Sequence, residues 1–338
     1  MPDLLRAEGL RIRIPAATAP VTVVDNVTFA VEEGEILGIA GESGSGKTMT
    51  VLGLLGLQPH AAVVTGRAWF QGRDLIRLSR RELQHVRGRE IGVVFQDPLT
   101  TLHPMLSVGR QLTEHMQLHL GIDKKDAQER AVGLLREVRI PNAEQAIKGF
   151  PHQFSGGMRQ RIVMAMALAC EPRLLIADEP TTALDVTVQA GILELIRDLC
   201  KTRGMAVLLV THDLGVMSSI ADRVAVFYAG RIIESGPTRE LLQAPRHPYT
   251  KQLLMALPDP ERADEPLRPI GGTPATPFSR PSGCAFHPRC SWAVESCSVR
   301  VPALARVTAD RLSACPIDPL RNGSEPDLLT VRLTETHR

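Results

Sequence analysis

No apolar run in these 338 residues approaches the ~20 needed to cross a bilayer; candidates such as Ile162–Cys170 stop at less than half that length. A membrane role, if there is one, is expected to be peripheral. The amino terminus alternates Leu and Ile with Arg and lacks the unbroken apolar core of a secretory signal, so the chain is expected to stay in the cytosol. The formal net charge is only +2. That is no basic field of the kind that draws nucleic acid, and there is no acidic tail. Aromatic residues make up 4% of the chain, and none precedes Phe29. Cysteine is equally sparing, six in all, yet four of them crowd into the stretch from Cys284 to Cys315.

What is present begins with strand patterns. "LRIRI" and "VTVVDNVTFAV" alternate or run apolar and close at the turn-forming "EEGE" of Glu32–Glu35. "EILGIA", "IGVVF", "RLLIAD" and "AVLLVTH" read as short buried strands, with the helical periodicity of "KTMTVLGLLGL" between the first two. Strands alternating with helices predict an α/β core. From about residue 98 to 170 the pattern is mostly helical, as in the amphipathic "DKKDAQERAVGLLREVRI", which predicts a helical insert. Beyond about Pro245 the composition shifts: 14 of the 25 prolines fall between Pro245 and Pro326. Proline at that density breaks regular elements, so residues 1–244 are expected to form the main domain and 245–338 an extension.

"GESGSGKT", Gly41 to Thr48, follows a predicted strand and precedes a predicted helix, the context that makes this pattern a phosphate loop. Gly41, Gly44 and Gly46 let the backbone curl so that the N–H groups of Glu42, Ser43 and Ser45 and a helix N-terminus face phosphate. Lys47 would reach the β and γ oxygens, and Thr48 would ligate Mg²⁺. "LLIADEP" ends a buried strand in two carboxylates. Asp178 suits the metal, and Glu179 suits a water on the γ-phosphate side, as general base or orienting group.

"FSGGMRQR", Phe154 to Arg161, resembles the signature motif of ABC-type ATPases and stands just before that strand, in the family's order. The resemblance continues in Gln96 of "VVFQDP", in the "TALD" that ends at Asp185, and in His212 of "THD". It implies a P-loop ABC-type core with an N-terminal antiparallel β subdomain. It also implies a head-to-tail dimer, in which Ser155, Gly156, Gly157 and Met158 meet the partner's ATP, His212 senses the γ-phosphate, and Gln96 links the Mg²⁺ region to the helical insert. Two departures stand out. Met158 replaces the usual signature Gln, and the position that commonly stacks adenine falls at Ile14 or Val21, neither aromatic.

The stretch from Gly149 to Ala190, with "HPYTKQLLMALP" (His247 to Pro258) and "GCAFHPRC", resembles the D-type ATP-binding subunits of bacterial dipeptide, oligopeptide and nickel importers. The expectation is an ATPase on the cytoplasmic face of the membrane, driving peptide uptake. Two integral-membrane permease subunits and a second ATP-binding subunit would be direct partners, and an extracytoplasmic solute-binding protein an indirect one. Nickel or another small solute is the alternative cargo; a soluble ABC ATPase serving iron–sulfur assembly or nucleic acid is the alternative class. In such importers the segment Asp97–Leu112 receives the permease.

The four clustered cysteines, Cys284, Cys290, Cys297 and Cys315, are separated by five, six and seventeen residues. A reducing cytosol disfavours disulfides, and no gap matches the tight pairs usual for structural zinc. An iron–sulfur cluster, zinc and unliganded thiols all remain open on spacing alone. Resemblance to the D-type subunits implies a [4Fe-4S] cluster. Cys170 and Cys200 lie in helical patterns and are expected to be buried small apolar residues. His115 and His119, beside Glu114, share a helical face but lack the order of a zinc-protease motif, so an ordinary solvated or partner-facing helix is expected.

Overall fold

The computed structural model describes residues 3–182, 184–257 and 269–317. Two sheets organise them. The first is four-stranded and antiparallel, built from β1 (Asp3–Ile14), β2 (Val21–Glu32), β4 (Val63–Phe70) and β5 (Arg73–Asp74) in the order β2-β1-β4-β5. The second contains β3 (Ile36–Ala40), β6 (Ile91–Val94), β7 (Leu174–Asp178), β8 (Ala206–Thr211), β9 (Arg223–Tyr228), β10 (Arg231–Pro237), β11 (Ala305–Arg306) and β12 (Leu312–Ser313). Its order is β11-β12-β10-β9-β3-β8-β7-β6, and the five strands from β9 to β6 run parallel.

The parallel strands read as unbroken apolar runs because both of their faces are covered. Leu37 and Ile39 of β3, Leu174 and Ile176 of β7, and Leu208 and Val210 of β8 pack with the antiparallel sheet. Their alternate neighbours Ile36, Leu175, Val207 and Leu209 pack with helices on the other side. Those helices include Val108–Leu120, Lys124–Glu137 and Gly156–Leu168, which fill the stretch where helical periodicity dominates the sequence. Asp123 and Ser155 cap two of them, each accepting a backbone N–H of the first turn.

The proline-rich extension is sewn onto the far edge of the parallel sheet. Leu312 and Ser313 of β12 pair with Ser235 and Glu234 of β10, and the Ala314 N–H donates to the Ile233 carbonyl at 2.8 Å. Glu234 is fully buried there. Its carboxylate accepts the N–H groups of Arg246 at 2.7 Å and His247 at 3.0 Å, and the guanidinium of Arg311 at 2.9 Å. One carboxylate therefore holds two separated segments of the extension, residues 246–247 and the segment around Arg311.

Candidate functional site

In an open parallel sheet, ligands bind beyond the carboxyl ends of the strands. Every catalytic residue expected from the sequence lies there: the Gly41–Gly46 loop after β3, Gln96 after β6, Asp178 and Glu179 at the end of β7, and His212 after β8. The loop needs its glycines. Gly41 sits at φ 148° and Gly46 at φ 104°, and a Cβ would fall 2.3 Å from the Phe227 carbonyl oxygen at Gly41 and 2.9 Å from that of Val23 at Gly46.

Lys47 opens the helix Lys47–Leu54 and is buried, its Nζ donating to the carbonyls of Gly41 at 2.7 Å and Glu42 at 2.9 Å. Burial lowers its pKa, and the nearby charges of Glu179, Asp178 and Glu42 only partly restore it. Asp178 is also buried, and its pKa is raised by burial and by the charge of Glu179 against the opposing pull of a Thr48 hydrogen bond and Lys47. The Asp178 Oδ1 has no hydrogen-bond partner among the described residues. A buried, orphaned carboxylate oxygen beside a threonine hydroxyl fits a hard divalent cation such as Mg²⁺.

Glu179 is the most heavily constrained side chain of the group. Its backbone takes φ 49°, a left-handed conformation uncommon outside glycine. Its Oε2 accepts from Gln96 Nε2 at 3.1 Å and from the Thr182 hydroxyl at 2.9 Å, while Oε1 lies 3.0 Å from His212 Nδ1. Burial alone would raise the pKa of this carboxyl, but the bonds to His212 and Thr182 outweigh it and hold it below the usual value. A carboxylate kept ionised and aimed from three directions is equipped to orient or deprotonate a water. Thr182 was not foreseen in that role. Gln96, expected near the metal, bonds Glu179.

Ser155 through Met158 start the helix Gly156–Leu168, and the Ser155 hydroxyl caps that helix by accepting the Met158 N–H at 3.3 Å. Ser155 and Gly156 are exposed, and neither bonds the Glu179 group among the described residues. Asp185 likewise caps the helix Val186–Arg203, beside Val186, which is 84% exposed; Ala183 lies outside the described residues. Both motifs thus face outward. Ile14 and Val21 are register partners where the β1–β2 hairpin meets its connecting loop, and they form a half-buried apolar pair.

Cys284, Cys290, Cys297 and Cys315 line one cavity of about 250 Å³, together with His247, Phe286 and Trp292. Burial pushes the Cys290 thiol up to about 12, with Cys315, Cys284 and Cys297 adding to the rise. Among the described residues no three His, Cys, Asp or Glu side chains gather so as to hold a metal ion. Four thiols lining one cavity are a soft donor set of the kind that thiophilic metals take. Cys170 and Cys200 are buried within apolar packing, as expected. The histidine pair differs from its expectation: His115 is half-buried and within 3.3 Å of the Gly88 carbonyl, because its helix packs on that turn.

Carboxylates, histidine and phosphate loop gathered at the carboxyl ends of parallel strands, with an exposed, serine-capped signature helix that does not bond them, is the arrangement of an ATP-binding cassette. Comparison with known proteins agrees. The ABC transporter family matches residues 24–182, and the oligopeptide/dipeptide transporter C-terminal region matches residues 233–297. The dipeptide transport ATP-binding protein DppD of Escherichia coli is 42% identical over 326 residues, covering 96% of this chain and 99% of that protein. The oligopeptide transport ATP-binding protein OppD of Salmonella typhimurium is 44% identical over 319 residues, covering 94% and 95%. Among solved structures, the dimeric ATP-binding cassette MJ0796 in a post-hydrolysis state bound to ADP and Pi superposes with a TM-score of 0.62 at 26% identity. It covers 70% of this chain and 99% of its own. The chain belongs to the ABC transporter ATP-binding proteins that carry the oligopeptide/dipeptide C-terminal region, and it is an ATPase.

Proposed function

We propose that this chain is the ATP-hydrolysing subunit of an importer for dipeptides or oligopeptides, seated on the cytoplasmic face of a bacterial membrane beneath two permease subunits. Peptide is preferred to nickel because relatives of 42% and 44% identity are named for dipeptide and oligopeptide transport. Among the described residues no helix is long and apolar enough to cross a membrane, so the pathway falls to other subunits. Leu99 and Met105, 59% and 77% exposed in the segment after Gln96, offer those subunits an apolar foothold.

In this reading residues 1–244 are the cassette and 245–338 the extension. The loop Gly41–Thr48 cradles the phosphates with its N–H groups other than that of Glu42, which is held by the Tyr249 hydroxyl, and Lys47 leaves its loop carbonyls to reach the β and γ oxygens. Thr48 and Asp178, with Gln96 nearby, would hold Mg²⁺, which when bound neutralises charge on the phosphate oxygens. Glu179 orients the attacking water, and His212 meets the γ-phosphate. The exposed Ser155–Met158 turn and the Asp185 loop await a second ATP-binding subunit, expected to be a different chain, and the pair would serve a solute-binding protein outside the membrane. Cys284, Cys290, Cys297 and Cys315 would hold a [4Fe-4S] cluster, which when bound cross-links segments too proline-rich to fold by periodicity.

The observation that carries the proposal is the three-way fixation of Glu179 beside the phosphate loop. In the assembled transporter, Glu179→Gln should bind ATP normally and lose roughly 10²-fold or more in turnover. Near-normal turnover would remove Glu179 from the chemistry.

A further inference from the structure

The chain contains two tyrosines, and both stand in the same place. Tyr228 ends β9 and Tyr249 lies in the helix Pro248–Met255, their ring centroids 4.7 Å apart. Phe286 packs edge-on against each at 5.3 Å. All three are buried. Packing alone would be satisfied by phenylalanine, yet both hydroxyls are engaged. The Tyr249 hydroxyl accepts the backbone N–H of Glu42 at 2.9 Å, and the Tyr228 hydroxyl accepts from Arg289 Nη1 at 3.2 Å.

Arg289 completes the contact. Its Nη1 and Nη2 donate to the two carboxylate oxygens of Glu42 at 2.8 and 3.0 Å, its Nε donates to the Gly271 carbonyl at 2.8 Å, and its guanidinium carbon lies 5.8 Å from the Phe286 ring centroid. Glu42 is the second residue of the phosphate loop, and its own carbonyl receives Lys47. Its N–H and side chain are thus held by the extension, and its carbonyl by the lysine expected to touch ATP. Arg289 also directly precedes Cys290, and Phe286 lines the cavity that the four cysteines share.

We propose that Arg289 and Tyr249 are positioning residues for the nucleotide site. By gripping Glu42 at side chain and backbone, they preset the loop whose N–H groups receive phosphate, and they make the wall of the cysteine-lined cavity part of that loop's support. A forked guanidinium–carboxylate pair fixes orientation as well as distance, and when largely buried it tolerates little slack. A loop fixed before its ligand arrives loses less entropy on binding. The inference rests on Gly41–Thr48 being the ATP loop. A pair that merely docked the extension would govern melting temperature and leave nucleotide affinity alone.

The test is equilibrium binding of a fluorescent ATP analogue with Mg²⁺ to the full chain, with melting temperature measured alongside. Arg289→Lys, which keeps the charge and loses the fork, and Glu42→Gln should each weaken binding roughly ten-fold, and Tyr249→Phe about three-fold. The double variant Arg289→Lys/Glu42→Gln should bind no worse than the weaker single variant, since both break one contact. In steady-state ATP hydrolysis the same variants should raise KM and leave kcat nearly unchanged. Binding within two-fold of wild type in Arg289→Lys, or losses that multiply in the double variant, would overturn the proposal. Should Arg289→Lys fail to fold, Tyr249→Phe decides by the same criterion. Lys47→Ala is the control: if it binds as tightly as wild type, the ATP-loop reading falls and takes this proposal with it, whereas loss of binding there and none in the extension variants sinks this proposal alone.

Discussion

Arg311→Met tests how firmly the extension is anchored. Arg311 is buried, and its guanidinium serves the fully buried Glu234 at 2.9 Å and the Ala244 carbonyl at 2.7 Å. Methionine keeps much of the volume and removes the charge. Losing one partner of a buried pair costs about 3–5 kcal/mol, because the other is left without its counter-charge. The N–H groups of Arg246 and His247 still reach Glu234, which places the expected loss near the lower end, about 3 kcal/mol. That is roughly a 150-fold change in the unfolding equilibrium. The chain has two tryptophans, Trp69 in β4 and Trp292 in the cavity wall, so a Trp69→Phe background lets Trp292 fluorescence report the extension during urea unfolding.

The pH dependence of that loss has a definite sign. Burial raises the Glu234 pKa, against the lowering pull of Arg246, His247 and Arg311, and removing Arg311 raises it further. A carboxyl raised in the folded state contributes stability that is fully present below its ordinary value of 4.5 and lost as pH rises through the folded value. The deficit of Arg311→Met should therefore be largest at neutral pH and shrink toward 4.5. A loss under about 1 kcal/mol at neutral pH, the range of exposed ion pairs, would refute the anchoring argument.

The cassette is legible in the sequence because its chemistry is local. A phosphate loop needs its glycines, lysine and threonine within eight residues, and a strand buried on both faces leaves an unbroken apolar run such as Leu174–Ala177. The edges are harder to see. β4 carries a glycine and an arginine mid-strand, and β10 ends in Gly236 and Pro237, so neither stands out as a strand. The extension is hardest, because its order comes from pairs that no window contains. Glu234 and Arg311 are 77 residues apart, and Glu42 and Arg289 are 247 apart. Composition gives two tyrosines but not that both stand where the extension meets the phosphate loop.

Burial raises the thiol pKa values of Cys170 and Cys200 to about 11, so iodoacetamide at about pH 8 should leave both unlabelled in native protein and label them after unfolding. Peptide mass mapping checks this, and native labelling at either position would contradict their burial. Asp25 offers a second titration of the fold. It receives Arg11 of β1 at 3.0 Å, Arg280 of the extension at 3.2 Å, and Arg231 of β10. Burial alone would raise its pKa, but Arg231 and Arg11 outweigh burial and hold it below the ordinary 3.8. A depressed folded pKa contributes stability fully present above 3.8 and lost as pH falls through the folded value. Asp25→Asn lacks that titration. The unfolding free energy of wild type minus variant should thus be positive and constant from about pH 7 to pH 5, then narrow below about pH 4. A difference that stays constant to about pH 2 would mean that the three arginines hold the strands and extension together through packing, with no contribution from the Asp25 charge.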